Sequence, residues 1–111
     1  MVIKTIYLLE DELPKAKLLF RYKSPLPGGM VIEVVVWHLS EPLPGSSHLF
    51  KYRLFYGLED GTCLVRYDNE RGKGDHKHIE GQEQTYRFKD VDTLQSDFRA
   101  DIRRYHERQK F

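Results

Sequence analysis

The stretch HLFKYRLFYGLEDGTCLVRYDNE, residues 48–70, decides the fold. Along residues 48–57, large apolar side chains alternate with basic ones, which is the two-residue period of a β-strand. Asp60 and Gly61 then provide the turn chemistry of a tight hairpin, because glycine tolerates the positive φ that such turns need. Residues 62–70 return as a second alternating strand. The stretch therefore predicts an antiparallel hairpin that carries Arg53 and Arg66 on one face.

Further strands are predicted on both sides of this hairpin. The segment MVIEVVVWHL, residues 30–39, is β-branched and aromatic, and its near-continuous apolarity is typical of a central strand. The apolar-basic run AKLLFRYK precedes it at residues 16–23, and QTYRFK at residues 84–89 is predicted to be the last strand. Residues 71–83 are polar and interrupted by glycines, so they are expected to form a loop.

The C-terminal segment predicts an amphipathic helix that begins after Asp90, a residue suited to the N-cap. Its apolar residues recur at steps of three and four: Val91, Leu94, Phe98, Ile102 and Tyr105. The predicted fold is α+β, a curved antiparallel β-sheet of four to five strands with one C-terminal amphipathic helix packed on it. The predicted organisation is a single domain over residues 1–111, with an N-terminal extension (1–15), the sheet (16–89) and the helix (90–107).

Composition excludes several classes of protein. The chain has 111 residues, and 18 basic against 17 acidic side chains leave a formal charge of +1, which excludes a polycation that binds nucleic acid by bulk charge. Its single cysteine, Cys63, excludes an intramolecular disulfide framework and a cysteine-rich zinc site. The N-terminus does not have the pattern of a signal peptide, and no segment approaches the length of a membrane span. A cytoplasmic protein without a membrane partner is expected.

The densest cluster of reactive side chains is RYDNERGKGDHKH, residues 66–78. Three chemistries fit these residue types. A histidine could act as acid or base beside cations that bind phosphate, as in a metal-independent ribonuclease. A carboxylate and a histidine could instead hold a divalent metal that activates water. The cations alone could bind phosphate or a partner without any reaction, and such a run can also be a solvated hairpin loop.

The candidate site residues divide into two groups. The candidate catalytic residues are His76, His78, Asp75, Glu70 and Asp68. The candidate substrate- and phosphate-binding residues are Arg53, Arg66, Arg71, Lys73, Lys77 and Asn69. Asp68 and Glu70 are two residues apart, as are His76 and His78, so in an extended backbone each pair shares a face. A divalent metal is possible but is not predicted, and no cofactor is expected.

The sequence resembles the TumE-type toxins of bacterial toxin–antitoxin systems. Four features carry the resemblance: the central motif, the pattern W-x6-P-G-S from Trp37 to Ser46, the YRF that follows the central motif, and the acidic-aliphatic helix. The resemblance extends from about Lys17 to Ile102, with residues 1–14 interpreted as an addition outside the shared core. It implies a growth-inhibiting toxin that acts on RNA and is neutralised by a cognate helix-turn-helix antitoxin protein. A homodimer is possible. The resemblance assigns no individual roles. Carried over by motif, it implies a set of candidate residues: Arg66, Asp68, Asn69, Glu70, Arg71, Lys73, Asp75, His76 and His78.

Overall fold

A computed structural model describes residues 15–109. Within this range the chain forms one antiparallel sheet, whose six strands lie side by side in chain order, and one helix. The strands are β1 (Ala16–Leu26), β2 (Met30–Leu39), β3 (Phe50–Leu58), β4 (Cys63–Glu70), β5 (Gly74–Ile79) and β6 (Gln82–Thr85); the helix is α1 (Val91–Arg108). The predicted α+β fold is confirmed.

The strands predicted with the strongest sequence patterns form the middle of the sheet. β3 and β4 make the expected hairpin, with Leu54 opposite Tyr67 and Arg53 opposite Asp68. β2 pairs with β1 on one side and β3 on the other, and its Val34 is fully buried. The central position of β2 explains its apolar sequence, because both of its edges and at least one face are covered.

The strand count differs from the prediction at the end of the sheet. The predicted loop 71–83 contains β5, and β6 ends at Thr85, so the predicted strand 84–89 is wrong over most of its length. The sheet therefore has six strands instead of four or five. Polar residues can form these strands because the pairing uses backbone groups, which every residue except proline offers equally.

Helix α1 covers one face of the sheet and closes the core. Asp90 caps it, as predicted, since its Oδ1 accepts a hydrogen bond from the Thr93 backbone N–H at 2.7 Å. Leu94 and Phe98 are buried, and the Phe98 ring lies edge-on to Tyr67 of β4 at a centroid distance of 5.8 Å. The helix thus holds the strand whose opposite face carries Arg66 and Asp68.

The described part of the chain contains no helix long and apolar enough to cross a membrane. The predicted sheet and helix regions, residues 16–89 and 90–107, correspond to strands that end at Thr85 and a helix that ends at Arg108. The predicted N-terminal extension lies outside the described residues, apart from its last residue, Lys15.

A buried carboxylate joins the helix to the sheet. Asp101 of α1 is 5% exposed and accepts hydrogen bonds from the Tyr67 hydroxyl, from Lys77 Nζ at 3.0 Å and from Arg104 Nη1 at 2.6 Å. Burial alone would raise the pKa of Asp101, but the hydrogen bonds from Tyr67 and Lys77 outweigh it and hold this pKa below its ordinary value. The ionised form is therefore the one that stabilises the fold.

This low pKa predicts a loss of stability in acid. A carboxyl whose pKa is lower in the folded than in the unfolded chain contributes stability above its unfolded pKa of about 3.9, and that contribution is lost as the pH falls through the folded pKa. We expect the free energy of unfolding, measured by urea titration, to fall less between about pH 5 and pH 2 in Asp101→Asn than in the wild type. The exposed Asp92→Asn is the control. Equal pH dependence in Asp101→Asn and the wild type would contradict this role.

Candidate active site

Strand alternation divides the reactive window 66–78 between the two faces of the sheet. β4 and β5 pair so that Arg66 lies opposite His78 and Asp68 opposite His76. These four residues lie on the face turned away from α1, because Tyr67 and Lys77, one position along, contact the helix. We call this surface the distal face. The structure therefore brings together one arginine, one carboxylate and both histidines of the window.

Asp68 is the centre of this cluster. It is 7% exposed, and its Oδ2 lies 3.1 Å from Arg66 Nε while its Oδ1 lies 2.6 Å from His76 Nε2. His76 is 3% exposed, and its Nδ1 lies 3.1 Å from the backbone carbonyl oxygen of Gly74. A buried carboxylate is thus held between a guanidinium and an imidazole, which limits its possible orientations.

His78 completes the cluster at a more accessible position. Its ring lies edge-on to that of His76 at a centroid distance of 5.1 Å, and its side chain is 19% exposed against 3% for His76. Burial, followed by the charge of Arg66, lowers the pKa of His78, so the neutral imidazole is favoured near pH 7. His78 is consequently the histidine of the cluster that a substrate reaches more easily.

Four buried polar atoms of the cluster have no hydrogen-bond partner among the described residues. They are Arg66 Nε, Asp68 Oδ1, His76 Nε2 and His78 Nε2. Arg66 and His76 are within ion-pair distance of Asp68, but the directions of their N–H groups do not meet hydrogen-bond geometry. His78 Nε2 likewise lies 3.5 Å from Glu83 Oε1, within ion-pair distance but without a hydrogen bond. Buried polar atoms in proteins are nearly always hydrogen-bonded, so four that are held only by charge at one place favour a site that a bound ligand would complete.

Two cations of β3 line the same face beside the cluster. Lys51 is half-buried, donates to the backbone carbonyl of Asn69 at 2.5 Å and has a pKa lowered mainly by burial, with Asp68 opposing this effect. Arg53 lies opposite Asp68 in the β3–β4 pair, and its side chain is 44% exposed with Nη1 3.7 Å from Glu33. Positive charge therefore extends from the cluster onto β3, where a phosphate backbone could follow it.

The turn between β4 and β5 carries the most exposed candidates. Glu70 and Arg71 are exposed, and Lys73 Nζ donates to Glu83 at 2.9 Å. None of these three candidates contacts the buried cluster through a hydrogen bond or ion pair within the described residues. They lie at its rim.

The remaining candidates lie on the helix side of the sheet. Asn69 is fully buried and joins β4 to β3, where its side chain accepts from the Tyr52 backbone N–H at 2.9 Å and donates to the Phe50 carbonyl at 2.7 Å. Lys77 pairs with Asp101 of the helix. The structure therefore separates these side chains, and Asp75, from the distal face.

Asp75 takes part in a cluster that sequence reasoning did not find. His48 Nε2 donates to its two carboxylate oxygens at 2.9 and 3.0 Å, and the Tyr52 hydroxyl donates to Oδ1 at 2.9 Å. The Phe50 backbone N–H donates to His48 Nδ1 at 3.1 Å, so the His48 proton lies on Nε2. The His48 ring also stacks on Phe88 at a centroid distance of 3.9 Å. Both ring nitrogens of His48 therefore have hydrogen-bond partners. These bonds tie the loop of residues 40–49 to β5 and hold it in place.

The same loop explains why the W-x6-P-G-S pattern accompanies the central motif. The Gly72 backbone N–H donates to the Pro44 carbonyl at 2.6 Å, which joins the loop to the β4–β5 turn. Gly45 has a φ of 86°, and a Cβ at this position would lie 3.1 Å from the carbonyl carbon of Gly72. A side chain at residue 45 would be strained by both the backbone conformation and the steric contact. The two distant sequence motifs therefore form one structural unit beside the site.

Comparison with known proteins identifies the family. The model of the family described as "Toxin TumE" matches residues 3–106. The match begins before Lys17, so the interpretation of residues 1–14 as an addition outside the shared core is wrong for most of that segment. Searches of curated proteins and of solved structures returned no match. Since the family model spans nearly the whole chain, including both motifs that meet at the β4–β5 turn, this protein belongs to the TumE toxin family.

Proposed function

We propose that this toxin cleaves RNA at the distal face, in the cluster formed by Arg66, Asp68, His76 and His78. The observation that carries the proposal is the convergence of a guanidinium, a buried carboxylate and two imidazoles within contact distance on adjacent strands. Strands are a more rigid support than a loop, and a site built on them holds its groups in fixed relative positions. The family supports a toxin, and the site chemistry supports a phosphodiester substrate.

The charges of the site fit phosphate transfer. Attack of a ribose 2′-oxygen on phosphorus forms one P–O bond, breaks the bond to the 5′-oxygen and places additional negative charge on a phosphorane. The guanidinium of Arg66 stabilises that charge, and the interaction is strong because the side chain is three-quarters buried. Lys51 and Arg53 bind the adjacent phosphates. The leaving 5′-oxygen takes a proton from solvent.

Two groups can accept the proton of the 2′-hydroxyl. One is the imidazole of His78, a residue type that titrates near neutral pH, whose side chain is 19% exposed although its Nε2 is buried. The other would be a hydroxide, formed when a divalent ion held by Asp68, His76 and His78 lowers the pKa of a bound water. The unpaired buried atoms favour the second route, which is developed below.

A toxin of this family implies a protein that neutralises it, and we propose a cognate helix-turn-helix antitoxin as that partner. A homodimer, and a cytoplasmic location, stay predictions from the sequence. Co-purification of the chain with the product of an adjacent gene tests the antitoxin directly.

The histidines of the cluster provide the test of the proposed function. We expect the purified protein to cleave single-stranded RNA, and the double variant His76→Ala/His78→Ala to lose cleavage by at least about 100-fold and to lose growth inhibition. The matched control is His38→Ala, an exposed histidine of β2 outside the cluster. Stoichiometric, strongly salt-dependent RNA binding without turnover would instead identify a binding module. Growth inhibition that survives the double substitution would refute this site.

A further inference from the structure

We infer that the distal face binds one divalent transition-metal ion through Asp68 Oδ1, His76 Nε2 and His78 Nε2. These three atoms lie within 4.8 Å of one another. Ligand atoms bound at about 2.0–2.2 Å to one tetrahedral ion lie about 3.3–3.6 Å apart, so binding requires the 2.6 Å contact between Asp68 Oδ1 and His76 Nε2 to open and the widest separation to close, each by about 1 Å. The ion site is argued from geometry alone, whereas its part in RNA cleavage rests on the proposed function.

The protonation of His76 is the first argument. Its Nδ1 faces the Gly74 carbonyl oxygen at 3.1 Å, which places a proton on Nδ1 and leaves a lone pair on Nε2. That lone pair lies 2.6 Å from Asp68 Oδ1, itself electron-rich. A cation beside both atoms satisfies them together.

The surroundings of the three ligands are the second argument. Metal-binding histidines commonly donate their other ring N–H to a backbone carbonyl, as His76 does to Gly74. Arg66 Nε lies 3.1 Å from the other oxygen of Asp68 and orients the carboxylate. Both Asp68 and His76 are more than nine-tenths buried, so their ligand atoms cannot turn to bulk water. The outer contacts of a metal site are therefore already in place.

The ligand types indicate the class of ion. Two imidazoles and one carboxylate suit Zn²⁺ and its first-row neighbours, whereas Mg²⁺ prefers oxygen ligands. Three protein ligands leave a coordination position for water, which is typical of catalytic sites and not of structural ones. An ion here lowers the pKa of that water, and the resulting hydroxide becomes the group that accepts the 2′-hydroxyl proton. The sequence-based prediction of no cofactor, which allowed a divalent metal, stays untested, and the ion site is the alternative to it.

Binding of Zn²⁺ to the purified full-length chain, stripped of metal by chelator, tests the inference. We expect one Zn²⁺ per chain by calorimetry and a rise in the melting temperature, with no comparable effect of Mg²⁺. Affinity should fall by more than about 100-fold in His78→Ala and in Asp68→Asn, and should be unchanged in His38→Ala. Circular dichroism verifies that each variant is folded, and His78→Asn replaces His78→Ala if the latter is not.

The outcomes separate this inference from the proposed function. Binding of Zn²⁺ that depends on His78 and Asp68 supports the ion site even if the loaded protein does not cleave RNA, in which case the proposed function fails alone. Absence of one-to-one binding, or binding that is unchanged in both variants, overturns the ion site. Undiminished RNA cleavage by the stripped protein would then leave the proposed function standing, with imidazole as the proton acceptor.

Discussion

Replacing Arg66 with alanine is expected to slow RNA cleavage by about 10²–10³-fold, the loss typical of removing one preorganised donor to a developing oxyanion. Among the described cations of this face, Arg66 is the one that lies beside Asp68 and opposite His78 in the strand pairing. Its effect should appear mainly in the single-turnover rate at saturating protein, because the interaction strengthens as the phosphorane forms.

Conservative and distant substitutions sharpen this prediction. Arg66→Lys keeps the charge but not the planar fork of donors, so we expect it to recover only part of the rate. Arg103→Ala removes an exposed arginine of the helix, far from the distal face, and should have no effect on cleavage. A cleavage rate for Arg66→Ala equal to that of the wild type would exclude the phosphate-binding role of this residue.

Replacing Phe98 with alanine is expected to lower the free energy of unfolding by about 3–5 kcal/mol. Phe98 is 2% exposed and packs against Tyr67, and α1 is the helix that covers the apolar face of the sheet. Small domains have only about 5–15 kcal/mol of stability in total. Urea unfolding should therefore show a marginally stable variant. Thermal unfolding should show a melting temperature lower than that of the wild type by tens of degrees.

The neighbouring residue gives a matched control. Arg99→Ala changes an exposed side chain on the same turn and should alter stability by less than about 0.5 kcal/mol. Phe98→Leu keeps most of the apolar volume and should lie between alanine and the wild type. A loss below 1 kcal/mol in Phe98→Ala would show that the helix contributes little to the core.

Much of the fold could be predicted because the strongest patterns belong to the buried elements. The β3–β4 hairpin, the central strand β2 and the helix after Asp90 all have a periodicity produced by one apolar face. β5 and β6 lack it, because Gly74–Ile79 contains two histidines, a lysine and an aspartate, and Gln82–Thr85 is fully exposed. Their formation depends on backbone pairing, of β5 with β4 and of β6 with β5, which leaves no mark on side-chain composition.

The candidate site could be predicted as a region but not as a set of contacts. His76 and His78 are two residues apart, so an extended backbone was expected to place them on one face. The structure shows this arrangement because residues 74–79 form the strand β5. Asp75 and Lys77 could not be assigned to the opposite face while residues 71–83 were expected to form a loop. His48 had no local signal at all, since its partner Asp75 is 27 residues away and the two meet only through the fold.

The most direct test of the central claim is the single-turnover cleavage of a labelled single-stranded RNA by purified wild-type protein and by His76→Ala/His78→Ala, with folding of both verified by circular dichroism. Our account predicts cleavage by the wild type and none above the buffer background by the folded double variant. Cleavage by the double variant at the wild-type rate would contradict the assignment of the site to the distal face.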